Sequence, residues 1–401
     1  MPPARRASQR RWRASLFVFT LVTGIGMASW IARTPAIRDT LEVSSGGMGL
    51  VLFGLSAGSM TGVLLSGGMV RRAGGRATVL VSAVLMAVGL AVVAGATAAS
   101  LAPGVFCGLA LFGAGVGLGE IALNIEGAAV EQCTGRPVLP VLHGGFSLGT
   151  VVGAGVGMGL TAWRFPVAWH LFAAAVVVAA ASVWAIRGIP AGTGEAASDP
   201  ETGGRRGWRS RLHVWRDRRL VLIGLVVLAM AFAEGSANDW LPLLMVDGHD
   251  TSATAGSLTY LLFAAAMTCG RLAGNIPLAR YGRVAVIRAG AVIAATGLAA
   301  VIFSSSPYLA VAAVVLWGLG AALGFPVSVS AAGDDAQDAA TRVGAVATAG
   351  YCAFLVGPPL LGFLADHVGL RAAMTTVLLL VIAATFGTGA MRPQRRPTAV
   401  G

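Results

Sequence analysis

The sequence predicts an all-α integral membrane protein of twelve transmembrane helices, arranged as two six-helix pseudo-repeats. Three observations carry this prediction. The 401-residue chain is 56% hydrophobic and 11% charged, with a mean hydropathy of +0.77, more apolar sequence than a water-soluble core of this length needs. Hydropathy resolves about twelve runs long enough to cross a hydrocarbon core about 30 Å thick. Corresponding sequence features recur about 205 to 208 residues apart.

The first run, Leu16–Ala32, follows five Arg in Met1–Arg13. It resembles a signal peptide, but no small-x-small cleavage site closes it and further spans follow, so it is expected to stay as the first helix. Spans two to six are Gly46–Val70, Ala77–Ala98, Leu101–Val130, Phe146–Trp163 and Val167–Ile186. Gly54, Gly58 and Gly62 on span two, and Gly149, Gly153 and Gly157 on span five, place small residues at four-residue spacing. In lipid such seams let helices approach closely, and they are expected to let rigid halves slide or rock against each other.

Gly188–Arg219, rich in Gly, Ser, Pro, Asp, Glu and Arg, reads as a central cytoplasmic loop. The domains follow as a six-helix half over 1–187, this loop over 188–219 and a second half over 220–401. Trp208, Leu212, Trp215 and Arg219 lie on one face at helical spacing among further Arg. They mark either a short helix on the inner leaflet or a disordered linker. Spans seven to twelve are Leu220–Val246, Ala255–Leu278, Val284–Phe303, Tyr308–Ala332, Val343–Ala365 and Ala372–Met391. Pro242, Pro277, Pro326 and Pro358–Pro359 are expected to break helices seven, eight, ten and eleven, a home for irregular backbone lining a cavity.

All 29 basic residues are Arg. With a cytoplasmic start, only Arg33, Arg38, Arg164 and Arg371 fall on the outer side, and Arg271 lies within a span. The positive-inside rule therefore puts both termini in the cytoplasm of a multi-pass plasma-membrane, or cell inner-membrane, protein. The net charge of +12 reflects this sidedness, not nucleic-acid binding. Cys107, Cys133, Cys269 and Cys352 lack metal-ligand spacing and read as small core residues.

Polar residues inside apolar spans are the functional signal. Glu120, Asn124 and Glu126 lie in span four; Glu234, Asn238 and Asp239 lie in span seven. A central intramembrane charge costs roughly 2.5–3.5 kcal/mol on insertion scales and usually faces a bundle interior or a water-filled path. Both sites share Glu-x-x-x-Asn, which sets the two side chains on one helix face. Glu120 and Glu234 are the proton-coupling candidates, since burial shifts a carboxyl toward exchange at working pH. The plainer reading of Glu120 is a buried acid satisfied by helix–helix hydrogen bonds. Asn124 either holds a solute hydroxyl, orients Glu120 or only packs. Asn124, Asn238, Trp30 and Trp317 are the substrate-binding candidates. Asp239 reads as a solvated mouth residue, Glu126 as structural, His143 as structural with a proton carrier as the alternative, and Arg271 as a helix-end anchor reaching the phosphate region with a substrate clamp as the alternative.

The loop after span two reads GGMVRRAGGR over Gly67–Arg76, and the loop after span eight reads NIPLARYGR over Asn275–Arg283. With the duplicated spans, these resemble the major facilitator superfamily over nearly the whole chain. Its loop signature, Gly-x-x-x-Asp-Arg-x-Gly-Arg, is matched by Gly67, Arg72 and Gly74, and in the second half by Arg280, Gly282 and Arg283. The chain departs from it at Arg71, where the Asp belongs, at Gly75, which delays the Arg to Arg76, and at Ala279. That Asp helps latch the cytoplasmic helix ends in the family. A substitute is expected, with Arg71 or Arg72 pairing with Glu126 or Glu131; the alternative is a solvated loop.

GLGEIALNIEGAAVE in span four and LHGGFSLGT over Leu142–Thr150 look like the branch containing the fucose–proton symporters and related permeases. The resemblance carries a cavity-facing acid onto Glu120, with Asn124 four residues later. The branch's second acid, on span one, has no counterpart in GIGMASWIARTP.

The expectation is a secondary transporter working by alternating access, with a central site between the halves. The solute is sugar-like or another small polar molecule moved by proton-coupled symport; the alternative is proton-driven export of amphiphilic compounds. Its partners are solute, protons and the bilayer, with neither a cofactor nor an obligate protein partner. No nucleophile elbow, phosphate loop or metal cluster supports an enzyme, and a non-transporting sensor or membrane enzyme is the alternative of another class.

Overall fold

The computed structural model describes residues 3–135, 137–195, 214–334 and 339–392, and regular structure among them is helical. In the first part of the chain these are α1 (Pro3–Ile31), α2 (Thr34–Leu41), α3 (Ser45–Ala98), α4 (Ala102–Thr134), α5 (Leu139–Ala162) and α6 (Val167–Ile186). A 3-10 turn at Val214–Arg216 precedes α7 (Arg218–His249), α8 (Ala253–Ala273), α9 (Asn275–Phe303), α10 (Pro307–Ala321) and α11 (Gly324–Ala332). α12 (Ala339–Val368), α13 (Leu370–Ala373) and α14 (Thr375–Gly387) follow.

Eleven helical stretches among the described residues are long and apolar enough to cross a membrane. One of them, α3, has 54 residues, about 81 Å at 1.5 Å per residue, more than twice the hydrocarbon thickness. Gly74, at φ 76 and ψ 166, breaks it into two crossings, which makes twelve among the described residues. Gly282 breaks α9 with the same φ and ψ, which sets the loop ahead of span nine at an angle to it. Each of α10–α11 and α13–α14 makes one crossing.

Several boundaries differ from the sequence reading. The helix α2 was not foreseen; Pro35 at its start and Arg38 in its last turn suit a short helix between spans. α5 begins at Leu139, ahead of the expected Phe146, because Glu131 Oε1 accepts the backbone N–H groups of Val138 (2.6 Å) and Leu139 (2.9 Å). Helix eight stops at Ala273, so Pro277 does not break it but sits in the first turn of α9, where no helical N–H is needed. Pro242, Pro358 and Pro359 lie inside continuous helices. Of the expected leaflet helix, Trp208 and Leu212 lie outside the described residues. All four Cys are exposed on helix surfaces rather than in the core.

The chain divides into two compact units. The first combines Met1–Pro200 with Asp239–Ala264 and Pro358–Leu370; the second combines Glu201–Asn238 with Ala265–Gly357 and Arg371–Gly401. Within the first unit, a Cβ at Gly54, Gly58 or Gly62 would strike the backbone carbonyls of Phe106, Ala110 or Ala114 on α4. A Cβ at Gly149 or Gly153 would likewise strike Leu21 or Ile25 on α1. Both glycine seams therefore bind α3 to α4 and α5 to α1, inside the first half of the sequence. They are packing seams and not the sliding surfaces between halves that their spacing led us to expect.

The first unit is also tied at the α2 end. Arg38 donates to Asp247 with both guanidinium nitrogens, at 2.5 and 2.9 Å. Ser44 Oγ (3.0 Å) and the Gly46 N–H (2.9 Å) donate to Asp366, and Ser257 Oγ donates to the Ala32 carbonyl at 2.7 Å. The hydrogen bonds to Asp247 hold the Arg38 guanidinium above its ordinary pKa.

Candidate functional site

In α4 the side chains split by face. Gly119, Ala122, Leu123, Glu126, Gly127 and Val130 are buried, whereas Glu120 is exposed and Asn124 is partly so. The four-residue spacing thus presents acid and amide on one open stripe of the first unit, while Glu126, six residues past Glu120, points to the opposite side. Glu120 has polar company of its own in the folded chain.

The second acid–amide pair repeats the pattern more sharply. From Ala229 to Met245 every residue of α7 is buried except Glu234 and Asn238. Asp239, expected to be solvated, is only 6% exposed. Trp30 and Trp317 are fully buried and present no open ring face in this structure.

Arg271 is where the structure departs most from the sequence reading. Instead of reaching a phosphate layer, its Nη2 donates to Glu234 Oε1 at 2.8 Å, with the two side chains 31% and 15% exposed. Its Nε reaches the carbonyl of Ala322 at a long 3.4 Å. That carbonyl is available because Pro326, four residues on, has no N–H to return to it, and the helix is interrupted between α10 and α11. Met230 packs on Gly324, Phe354 on Gly235 and Phe325 on Tyr351 around this break. Nothing in hydropathy flags such a pair; two opposite charges at similar depth on consecutive spans were the only available signal.

The loop signatures are used asymmetrically. In the second unit Arg283 grips Asp334 with contacts of 2.9 and 3.1 Å, and Arg219 adds one at 3.3 Å. Asp217 accepts from Arg342 at 2.5 Å and from the Arg219 N–H at 2.8 Å, capping α7. Burial acts to raise the Asp217 carboxyl, but these hydrogen bonds outweigh it and hold its pKa below the ordinary value. Arg280 lies over the Tyr281 ring at 5.2 Å.

In the first unit Arg71 and Arg72 are exposed, and neither forms an ion pair with Glu126 or Glu131. Glu126 is fully buried and accepts from Trp12 Nε1 at 2.9 Å, and Glu131 caps α5. The latch expected from Arg71 or Arg72 to these acids is therefore not formed here. Gly67 lies within α3 and Gly74 at its break, where the Gly75 N–H donates to the Thr193 carbonyl at 2.8 Å.

Twelve crossings among the described residues, with an acid–amide pair at exposed or part-exposed positions of each unit, define a multi-pass membrane protein. The Major Facilitator Superfamily profile matches residues 138–358 and 276–400. An uncharacterized MFS-type transporter of Yersinia pestis is 30% identical over 90% of this chain and 91% of its own length. The fold is similar to that of the nucleoside transporter NupG (TM-score 0.78, 15% identity, 95% of this chain and 100% of that one). It is similar also to that of the E. coli fucose:proton symporter FucP (TM-score 0.65, 15% identity, 95% and 98%). The chain belongs to the Major Facilitator Superfamily; it is a membrane transporter in family and fold, and not an enzyme.

Proposed function

We propose that the protein is a proton-coupled symporter of a small polar solute, working by alternating access between its two six-helix halves, 1–187 and 220–401, joined by the 188–219 loop. The observation that carries this reading is the exposure pattern: Glu120 is exposed and Asn124 partly so on α4, and Glu234 and Asn238 are the part-exposed positions in the otherwise buried stretch of α7 from Ala229 to Met245. An intramembrane acid is expensive and is kept where it serves a path or a proton relay. The amides beside them supply the donor and acceptor that a hydroxyl-rich solute needs. Among solved relatives in fold, the fucose:proton symporter supports both the proton and the sugar-like solute. The Arg distribution supports a plasma-membrane location with both termini in the cytoplasm.

The test is proton entry into sealed, pH-dye-loaded proteoliposomes challenged with pooled sugars and sugar acids, wild type beside Glu120→Gln. Solute-driven proton entry that falls at least tenfold in Glu120→Gln is the expected result. Full retention in that variant leaves Glu234 as the one coupling acid of the two, and no solute-driven proton entry in the wild type with either kind of solute removes the symport reading.

A further inference from the structure

The Glu234–Arg271 contact places a fixed cation beside one of the proton-coupling candidates. It joins two consecutive spans at the interruption of a third, with the two side chains 31% and 15% exposed. A buried ion pair is weak support for stability, because desolvation offsets most of its Coulomb gain, whereas separating the partners strands an uncompensated charge. Glu234 and Arg271 therefore stay together until something else neutralises each. A proton neutralises Glu234. Only an anion neutralises Arg271, whose guanidinium is never deprotonated in a protein.

The surroundings leave that task to the solute. Arg271 is the charged side chain brought to Glu234. Around the helix break Met230 of α7 lies against Gly324, and beside Glu234 in the chain Phe354 of α12 lies against Gly235, all uncharged. Arg271 holds its position without Glu234 through the Ala322 carbonyl, which has no helical donor of its own. A planar fork anchored by Nε to backbone presents its remaining N–H groups in the geometry that matches a carboxylate.

We propose that Arg271 is the anion clamp of the solute site, so that the transported solute is a small polar acid whose carboxylate takes the place of Glu234. The exchange balances: the Arg271–Glu234 pair, one proton and one solute anion become an Arg271–carboxylate pair and a protonated Glu234. Proton and anion move together without net charge. This rests on the proton-coupled reading above and narrows its solute class.

The test uses the full chain in pH-dye-loaded proteoliposomes given an inward gradient of D-gluconate, D-glucuronate and D-galacturonate, or of neutral L-fucose, D-xylose and myo-inositol, with protein-free vesicles as control. The acid pool is expected to drive proton entry at a rate unchanged by a valinomycin-imposed potential, and Arg271→Gln to reduce it at least tenfold. Arg271→Lys, which keeps the charge, is expected to recover part of it, separating loss of the clamp from loss of fold. Glu234→Gln is expected to keep thermal stabilisation by the acid pool while losing proton entry. Proton entry driven by the neutral pool alone, and equal in wild type and Arg271→Gln, would overturn the clamp and leave the symport reading standing. Silence with both pools would overturn both.

Discussion

At the scale of single residues, the chain treats two related acids differently. Glu126 and Asp334 stand 208 residues apart, the same interval that separates Gly74 from Gly282. Counting back from Arg283 by that interval gives Gly75, so the first copy lacks the guanidinium that the second uses. A Cβ at Gly75 would run into the Glu126 carboxylate, and an indole N–H fills the role instead. Trp12→Phe is expected to leave that buried carboxylate short of a donor, at about 1–3 kcal/mol, read as a lower midpoint of thermal unfolding in detergent. Glu126→Gln keeps an acceptor for the indole and is expected to cost less. Glu120, Asn124, Glu234 and Asn238 were legible in the sequence because polar atoms in an apolar run are conspicuous without any fold. The pairing of Arg271 with Glu234 was not, because the two lie 37 residues apart and hydropathy reports depth without contacts.

At the scale of elements, the two glycine breaks and the cap of α7 are the parts most open to direct measurement. Gly282 adopts φ 76 and ψ 166, a region that side chains beyond glycine scarcely enter, and nothing lies within 4 Å of where a Cβ would stand. Gly282→Ala is therefore a test of backbone strain alone, expected to cost about 1–3 kcal/mol in thermal unfolding; an unchanged midpoint would mean the loop relaxes freely. Asp217→Asn keeps a capping oxygen while removing the charge facing Arg342. Because the folded carboxyl titrates below its ordinary value, its stabilisation is present above the ordinary carboxylate range and is lost as pH falls toward the folded value. The unfolding midpoints of wild type and Asp217→Asn are thus expected to differ at neutral pH and to converge in acid. Helix count and the broken span ten were readable from hydropathy and proline. The start of α5 was not, because it depends on Glu131, a cap seven residues upstream of Val138, and a window average smooths such a local hydrogen bond away.

At the scale of the whole molecule, the repeat and the membrane class were written in composition and periodicity, whereas the ties that fix a conformational state were not. The first unit draws the ends of α7 and α12 to α2 and to the start of α3 through Asp247 and Asp366. No spacing rule connects residues 209 or 320 positions apart. In the proposed alternating-access cycle these contacts must open. They are partly exposed, so each contributes about 0.2–1 kcal/mol, small enough to break in every turnover. Asp247→Asn combined with Asp366→Asn is expected to speed hydrogen–deuterium exchange in α2 and the first turn of α3 roughly two- to tenfold; unchanged exchange would mean the ties do not hold that end.

Pro326 carries no charge and touches no proton, yet it decides what the neighbouring guanidinium can lean on. By withholding one N–H it leaves a carbonyl unclaimed, and Arg271 takes it. The electrostatics of this transporter are thus set in part by an imino acid, so related chains that keep every ionisable residue but change that proline need not share its solute preference.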